Sequence, residues 1–226
     1  MTASLCAVVS SLEPADRERL LDRAVPRRLR RTESLCLAGD RSERVHLVTD
    51  GVLKLTGRNG GGAETIVGLA VPGDIVGDVA ALDGLAQPFD VVAAVDASVL
   101  GFAADLFLDV VLRSPRASEE LARKLAERNR SLGDALLERG TGNVPARLAG
   151  RLLELADVLG RVDDGAVAVE LPFAQGDLGR LAGMSRESAC KTLRHFKKNG
   201  VLDYEGRRLR ILRPDVLERI RCASRG

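Results

Sequence analysis

The sequence predicts an α+β protein with three parts: an amino-terminal antiparallel sandwich or barrel, one long amphipathic helix, and a carboxy-terminal half of short helices and a hairpin. Short β-branched segments separated by Gly, Asp and Asn turns fill residues 35–102. Leucines then recur at helical spacing, and short helical and hairpin patterns follow. We place the domain bounds at 1–112, 113–143 and 144–226.

The amino-terminal part begins with a helical pattern over residues 12–31, which Pro26 ends or breaks. Five strand-like segments follow, namely "VHLVTDGVLKL", "ETIVGLAV", "DIVGDVAAL", "DVVAAV" and "SVLGFA". Their close spacing and their turns are typical of antiparallel sheets. His46 falls within the first segment, and we interpret it as a packed or rim residue rather than a catalytic base.

A long helix is predicted over residues 116–139, because Leu121, Leu125, Leu132 and Leu136 line one of its faces. Such a helix either packs on its own sheet or pairs with a second copy of itself. The stretch "ERGTGNVP" then ends it and forms a hinge. Asn143 is placed to cap the next helix.

Composition excludes several classes of protein. No apolar run reaches the roughly 18 residues that a membrane span needs, and the start lacks the basic segment of a secretory signal. Four cysteines lie far apart without a CxxC pair, which predicts reduced thiols in a cytoplasmic protein and no metal site. No nucleophile has a neighbouring base in the sequence, so an enzyme is not indicated.

Positive charge is concentrated near the carboxy terminus. The net charge is +2, yet residues 180–213 carry 10 Lys and Arg against 3 Asp and Glu. This segregation favours a polyanionic partner for that part of the chain, with a solvated basic face as the alternative.

Residues 175–196 fit a helix-turn-helix in which Gly183 supplies the turn and Ser185 caps the second helix. The helical period separates the second helix into two faces. The predicted inward face carries Ala189, Thr192, Leu193 and Phe196, and the outward face carries Arg186, Glu187, Cys190, Lys191 and Arg194. A trailing hairpin with Arg207, Arg208 and Arg210 forms a basic wing.

Glu187 is the unusual residue of the outward face, because a carboxylate turned toward phosphates weakens DNA binding. In the major groove it can accept from cytosine N4, while Arg186 and Lys191 donate to guanine, so we expect sequence-specific binding. Two alternatives stay open: Glu187 favours the positive helix N-terminus, or it pairs with Lys191 four residues on. Cys190 is either a redox switch or a small residue that permits close approach to DNA.

The stretch "AQGDLGRLAGMSRESACKTLRHFKKNGVL" resembles the helix-turn-helix of the cyclic-AMP receptor protein and FNR family. Likewise, "AGDRSERVHLVTDGVLKL" and "VPGDIVGDVAAL" resemble its sensor domain. The resemblance implies a jelly-roll type, cyclic-nucleotide-binding-like β-roll, a dimerisation helix and a winged helix-turn-helix. It further implies a homodimer formed through helix 116–139, a palindromic double-stranded DNA site with TGTGA-like half-sites, and RNA polymerase as a protein partner. Arg186, Glu187 and Lys191 are its base-reading positions; Lys191 stands where arginine is usual.

From the residues and the resemblance together, we expect the DNA contacts to be Gln175, Ser185, Arg186, Glu187, Lys191, Arg194, Lys197, Arg207 and Arg208.

The sensor segment departs from members that bind cyclic AMP. Those members use a Glu for the ribose and an Arg-Ser pair for the phosphate, whereas this chain has Asp78 and the stretch "QPFDVV". The expected effector pocket is Gly77, Asp78, Val79, Phe89, Arg128 and Asn129.

We therefore expect a nucleotide-like effector other than cyclic AMP in its usual pose, or no effector, and Arg128 offers a phosphate a different contact. The cysteine cluster of an iron–sulfur centre is absent. The alternative function is a cyclic-nucleotide-binding regulatory module that acts through ligand or protein contacts.

Overall fold

The computed structural model describes residues 6–41, 43–58, 64–140, 143–173 and 175–223. The helices are α1 (Ala7–Ser10), α2 (Pro14–Asp22), α3 (Asp78–Asp83), α4 (Ala104–Arg113), α5 (Pro115–Gly140), α6 (Val144–Leu159), α7 (Gln175–Leu181), α8 (Arg186–Lys198) and α9 (Pro214–Cys222). The strands are β1 (Val25–Leu29), β2 (Ser34–Cys36), β3 (Arg44–Asp50), β4 (Leu53–Arg58), β5 (Glu64–Ala70), β6 (Ile75–Val76), β7 (Asp90–Ala93), β8 (Ala97–Ala103), β9 (Gly160–Asp163), β10 (Ala166–Glu170), β11 (Leu202–Glu205) and β12 (Arg208–Ile211).

The chain divides into two compact units, one made of residues 1–62 with 67–130 and the other of residues 63–66 with 131–226. In the first unit, one sheet has the order β1-β8-β3-β6 and another has the order β2-β7-β4-β5. Strands pair antiparallel in both sheets, as expected from the sequence. A buried apolar cluster drawn from the strands of both includes Leu29, Leu35, Val48, Leu53, Val76, Val91 and Val99.

Two local expectations for this unit were wrong. The helix predicted over residues 12–31 ends at Asp22, and Val25–Leu29 is a strand that pairs with β8. Pro26 is tolerated there because β1 is the edge strand of its sheet and one side of it needs no ladder partner. The segment "DIVGDVAAL" is a two-residue strand followed by α3, because Gly77 adopts a left-handed conformation (φ 85°) that turns the chain.

The long helix α5 has two different environments along its length. Near its start, Leu121 is buried in a second core cluster and Leu125 packs against that cluster. This cluster also contains residues of α1, α2 and α4. Farther along, Leu132 and Leu136 are exposed in the single chain. The first two leucines of the stripe therefore belong to the core of the first unit, whereas the last two are not buried.

The second unit contains a sheet of order β11-β12-β10-β9 and helices α6 to α9. Helix α6 begins as the sequence predicts, because the side chain of Asn143 accepts from the Ala146 N–H at 3.1 Å. Buried side chains from all four helices fill its core, among them Leu148, Leu152, Leu155, Leu178, Leu193, Phe196 and Leu217. Helices α7 and α8 pack on this core through their buried side chains.

Candidate functional site

Helices α7 and α8 are joined by a tight turn that sets their relative position. Gly183 has a positive φ of 61°, a conformation that glycine adopts without steric cost. A Cβ atom on Gly179 would lie 3.0 Å from the Met184 carbonyl oxygen, so this glycine allows α7 to approach the turn closely. Ser185 then caps α8, and its hydroxyl accepts from the Ser188 N–H at 3.1 Å. The predicted helix-turn-helix is therefore present.

Helix α8 presents one apolar face and one polar face, as its periodicity predicts. The inward face is buried and consists of Ala189, Thr192, Leu193 and Phe196. Phe196 is 1% exposed, and this face is buried in the core of the second unit. The outward residues Arg186, Glu187, Lys191 and Arg194 are exposed, and Cys190 is partly buried. A duplex lying on the outward face would meet three cations and one carboxylate.

Within the described part of the chain, no hydrogen bond or ion pair engages the side chains of Arg186, Glu187 and Lys191. In this conformation Glu187 is therefore not paired with Lys191. Glu187 does lie in the first turn of α8, where a negative charge favours the helix dipole. All three side chains are available to a ligand.

The remaining expected DNA contacts on α7 and α8 differ in their surroundings. Arg194 donates from Nε to the Cys190 carbonyl at 3.3 Å, which directs it along its own helix. Lys197 Nζ lies 2.6 Å from Asp203 Oδ1 in strand β11. The backbone of Gln175 belongs to α7, but its side chain lies outside the described residues.

The wing formed by β11 and β12 lies beside β10. Arg207 donates from Nε to the Leu171 carbonyl at 2.9 Å, and the Leu171 N–H donates back to the Arg207 carbonyl at 2.8 Å. Arg208 is 3.6 Å from Glu170, and its side chain is 85% exposed. Arg208 can thus swing toward a phosphate, whereas the guanidinium of Arg207 is held against the sheet.

In the sensor unit, the structure joins two of the expected pocket residues directly. Arg128 Nη1 on α5 donates to both carboxylate oxygens of Asp78, at 3.0 and 2.8 Å. Its Nη2 donates to the Ile75 carbonyl. The Asp78 side chain is 2% exposed and that of Arg128 is 35% exposed. The cation that we expected to be available to a phosphate is thus engaged by a buried carboxylate.

This ion pair lies beside a small cavity with about 10 Å³ of space for water, roughly one molecule. Its lining is Cys6, Ala7, Val8, Gly73, Ile75, Asp78, Leu121, Lys124 and Arg128. Val79 and Asn129 are exposed. Phe89 packs elsewhere, 3.6 Å from where a Cβ on Gly57 would lie. The structure therefore brings Asp78 and Arg128 together, next to Gly77, but not the whole expected set.

Sequence patterns missed two groups of residues. Cys6 and Lys124 line the cavity because α1 and α5 meet at Asp78. Asp203 and Tyr204 contact Lys197 because β11 packs beside α8. Each contact joins elements whose packing no local pattern specifies, so the sequence carried no signal for these residues.

Three further observations concern other kinds of site. The described residues contain no group of three or more His, Cys, Asp and Glu side chains placed to hold a metal ion. Within the same residues, no helix combines the length and hydropathy that crossing a bilayer requires. Cys6, Cys36, Cys190 and Cys222 are all free thiols.

Two family models match this chain. One, described as a Crp-like helix-turn-helix domain, matches residues 146–220, and the other, a cyclic nucleotide-binding domain, matches residues 26–114. Together they cover the sheets of the first unit and the candidate interface of the second.

Curated relatives match over most of the chain. A "CRP-like cAMP-activated global transcriptional regulator" of Mycobacterium tuberculosis is 26% identical over 212 residues, which are 94% of this chain and 95% of that protein. The "Transcriptional activator protein FnrA" of Stutzerimonas stutzeri is 25% identical and covers 82% of this chain and 76% of that protein.

Solved structures share the fold. FixK2 from Bradyrhizobium japonicum aligns with a TM-score of 0.78 at 22% identity, over 87% of this chain and 96% of that chain. A CooA mutant from Carboxydothermus hydrogenoformans aligns with a TM-score of 0.77 at 19% identity, over 99% and 97%. The two domain matches, the full-length relatives and the shared architecture lead to one conclusion: the chain belongs to the Crp/Fnr family of DNA-binding transcription regulators and carries that family's cyclic-nucleotide-binding domain.

Proposed function

We propose that this chain acts as a homodimer that binds a two-fold symmetric DNA site and reads its sequence with Arg186, Glu187 and Lys191. Residues 1–112 would form the sensor domain, residues 113–143 the dimerisation helix and hinge, and residues 144–226 the DNA-binding domain. We propose RNA polymerase as the protein partner of the DNA-bound dimer. Ser185, Arg194 and Arg208 would contact the phosphates around the bases.

The observation that carries this proposal is the exposed face of α8, where a carboxylate stands among cations and all three base-reading side chains are unpaired within the described residues. On a surface that only neutralised phosphates, Glu187 would weaken DNA binding and would contribute only its favourable interaction with the helix dipole. A carboxylate that accepts from cytosine N4 contributes to discrimination instead. Each good base contact contributes about 1–3 kcal/mol of discrimination against the wrong base pair.

Pairing of α5 with the same helix of a second copy would place two copies of α8 in successive major grooves, about 34 Å apart. The exposed leucines of α5 supply the apolar surface for that contact. The DNA site would then be roughly palindromic, with half-sites separated by one helical turn.

The test is selection of bound sequences from a randomised duplex library with the full-length chain. We expect enrichment of one two-fold symmetric motif over several rounds. Retention of DNA without enrichment of any motif would contradict the proposal and leave a basic, non-specific surface. Failure to retain DNA at all would support a regulatory module that acts through ligand or protein contacts.

For the sensor domain, we propose that cyclic AMP in its usual pose is not the effector. Asp78, which stands at the ribose-binding position, is already bound to Arg128. Separating a buried carboxylate from its cation typically costs about 3–5 kcal/mol. A missing charge-assisted contact to the cyclic phosphate costs roughly 1.5–3 kcal/mol more. The Asp78–Arg128 pair would thus hold α3 against α5 without a ligand.

Titration of the selected DNA site with and without saturating cyclic AMP tests this assignment. We expect less than a two-fold change in affinity, and no heat of cyclic AMP binding in calorimetry. An increase in DNA affinity of ten-fold or more would contradict it. Cyclic GMP and linear AMP serve as comparison ligands, because cyclic GMP differs from cyclic AMP only in its base and linear AMP keeps the adenosine but lacks the cyclic phosphodiester.

A further inference from the structure

The last turn of α8 is tied to the first strand of the wing by a single lysine. Lys197 Nζ lies 2.6 Å from Asp203 Oδ1 and donates to the Tyr204 carbonyl at 3.3 Å. The same ammonium group lies 5.0 Å from the centroid of the Tyr204 ring, a distance suited to a cation–π interaction. One side chain of the recognition helix thus makes three contacts with two consecutive residues of β11.

Asp203 is fixed in place independently of the lysine. Its Oδ1 accepts from the Tyr204 N–H at 2.8 Å, so the carboxylate is held against its own strand. The hydrogen bond to Asp203 raises the pKa of Lys197, and the same bond lowers the pKa of Asp203. Both shifts favour the charged forms, so Lys197 and Asp203 carry opposite charges across the neutral range.

The wing has a second attachment at its turn, where Arg207 and Leu171 exchange hydrogen bonds through the Arg207 guanidinium and backbone carbonyl. Arg208 and Arg210 follow the second attachment, on β12, and are exposed. The exposed cations Arg208 and Arg210 thus stand on a hairpin whose first strand is attached to α8 and whose turn is attached to the chain after β10.

From this geometry we infer that Lys197 is a positioning residue rather than a phosphate contact. Lys197, Asp203 and Tyr204 form a unit, here called the wing latch, that fixes the wing relative to α8. The inference deepens the proposed function, because it assumes that α8 and the wing bind the same duplex. The latch keeps Arg208 at a fixed position relative to the base-reading residues, and the Asp203 carboxylate neutralises the charge of the Lys197 ammonium group.

The two roles of Lys197 predict opposite effects of removing its partner. If Lys197 contacts a phosphate, Asp203 competes for it, and Asp203→Asn strengthens DNA binding by removing a negative charge and releasing a cation. If Lys197 positions the wing, Asp203→Asn loosens the hairpin and weakens binding. The sign of the change therefore decides between the roles, whatever its exact size.

The experiment measures the affinity of the full-length chain for its selected DNA site by fluorescence anisotropy, at several salt concentrations. We expect Asp203→Asn to weaken binding by about two- to five-fold, the range of an exposed ion pair, with an unchanged salt slope. Glu205→Gln is the matched control, because Glu205 is an exposed acid at the end of the same strand and lies outside the latch. This control should bind equally or more tightly.

A double-mutant cycle keeps the inference testable if Asp203→Asn also lowers stability. Lys197→Gln should weaken binding as Asp203→Asn does, and the double variant should be no weaker than either single variant. Tighter or unchanged binding by Asp203→Asn overturns the latch, as does a salt slope that falls by one unit in Lys197→Gln. Failure of the wild-type chain to select any sequence would instead overturn the proposed function.

Discussion

His46 shows how one side chain links the sheet to the pH dependence of stability. It lies in β3, half-buried beside Gly101, and burial is the main cause that lowers its pKa to about 4 from the usual 6.5. The cations Arg27 and Arg44 lower it further. Its sequence interpretation as a packed residue agrees with this environment, since a buried imidazole with a pKa near 4 is neutral at pH 7.

Unfolding exposes His46, so the unfolded chain takes up a proton near pH 6.5 and the native chain only near pH 4. The stability contribution is therefore complete above pH 6.5 and is lost as the pH falls toward 4. Between pH 7 and pH 5 we expect a loss of about 2 kcal/mol that His46→Gln abolishes. Urea unfolding followed by circular dichroism measures it, because the chain has no Trp and one Tyr.

The control is His195→Gln, because His195 is exposed on α8. That variant should keep the wild-type slope. An equal pH dependence in wild type and His46→Gln would show that carboxylates, rather than this imidazole, govern stability in the range.

Among the secondary structure elements, α8 and its flanking turn were predictable because local rules determine them. The cap at Ser185, the turn at Gly183 and the separation of faces each follow from a few neighbouring residues. Two elements were not predictable in the same way. The local sequence of β1 predicts a helix, but pairing with β8 makes this segment a strand. The local sequence of α3 predicts a strand, but the left-handed conformation of Gly77 turns the chain into a helix there. Long-range pairing and backbone conformation override the local pattern there.

The candidate site residues likewise fall into two groups: those whose position follows from local sequence, and those whose partners depend on long-range packing. The outward position of Arg186, Glu187 and Lys191 follows from the helical period alone. The partners of Lys197 and Arg128 depend on which elements pack together, and no spacing rule supplies that information. Sequence reasoning could therefore identify the outward face of α8 but not the partners of Lys197 and Arg128.

Helix α8 and the wing should contribute differently to DNA binding. Arg186→Ala should relax specificity at one base pair in each half-site and cost about 1–3 kcal/mol with the preferred sequence. Arg208→Ala should weaken binding to every sequence alike and reduce the salt slope by about one unit. Anisotropy titrations with the selected site and its single-base variants, at several salt concentrations, distinguish the two. A uniform loss in both variants would contradict the assignment of base readout to Arg186.

At the level of the whole molecule, the unburied half of α5 predicts the assembly. Leu132, Leu136 and Leu137 are 46%, 71% and 70% exposed in the single chain. Fully burying a leucine contributes about 1.5–3 kcal/mol, so covering these residues twice in a symmetric dimer would stabilise it substantially. The three leucines lie within two turns of one helix, which a parallel copy can cover.

Leu136→Glu should therefore yield a monomer in sedimentation velocity at micromolar concentration, while the wild-type chain sediments as a dimer. Leu112→Glu is the matched control, because Leu112 is 59% exposed on α4 rather than α5. It should sediment as the wild type does. Dimers that survive Leu136→Glu, or are lost in Leu112→Glu, would place the contact elsewhere.

The most direct test of the account compares enrichment from a randomised duplex library by the wild-type chain and by Glu187→Gln. We propose that the carboxylate at position 187 is tolerated among cations because it reads a base donor. We therefore predict one symmetric motif for the wild type, and for Glu187→Gln the same motif with the preference lost at a single base pair in each half. Identical motifs for both proteins, or no motif for the wild type, would contradict the claim.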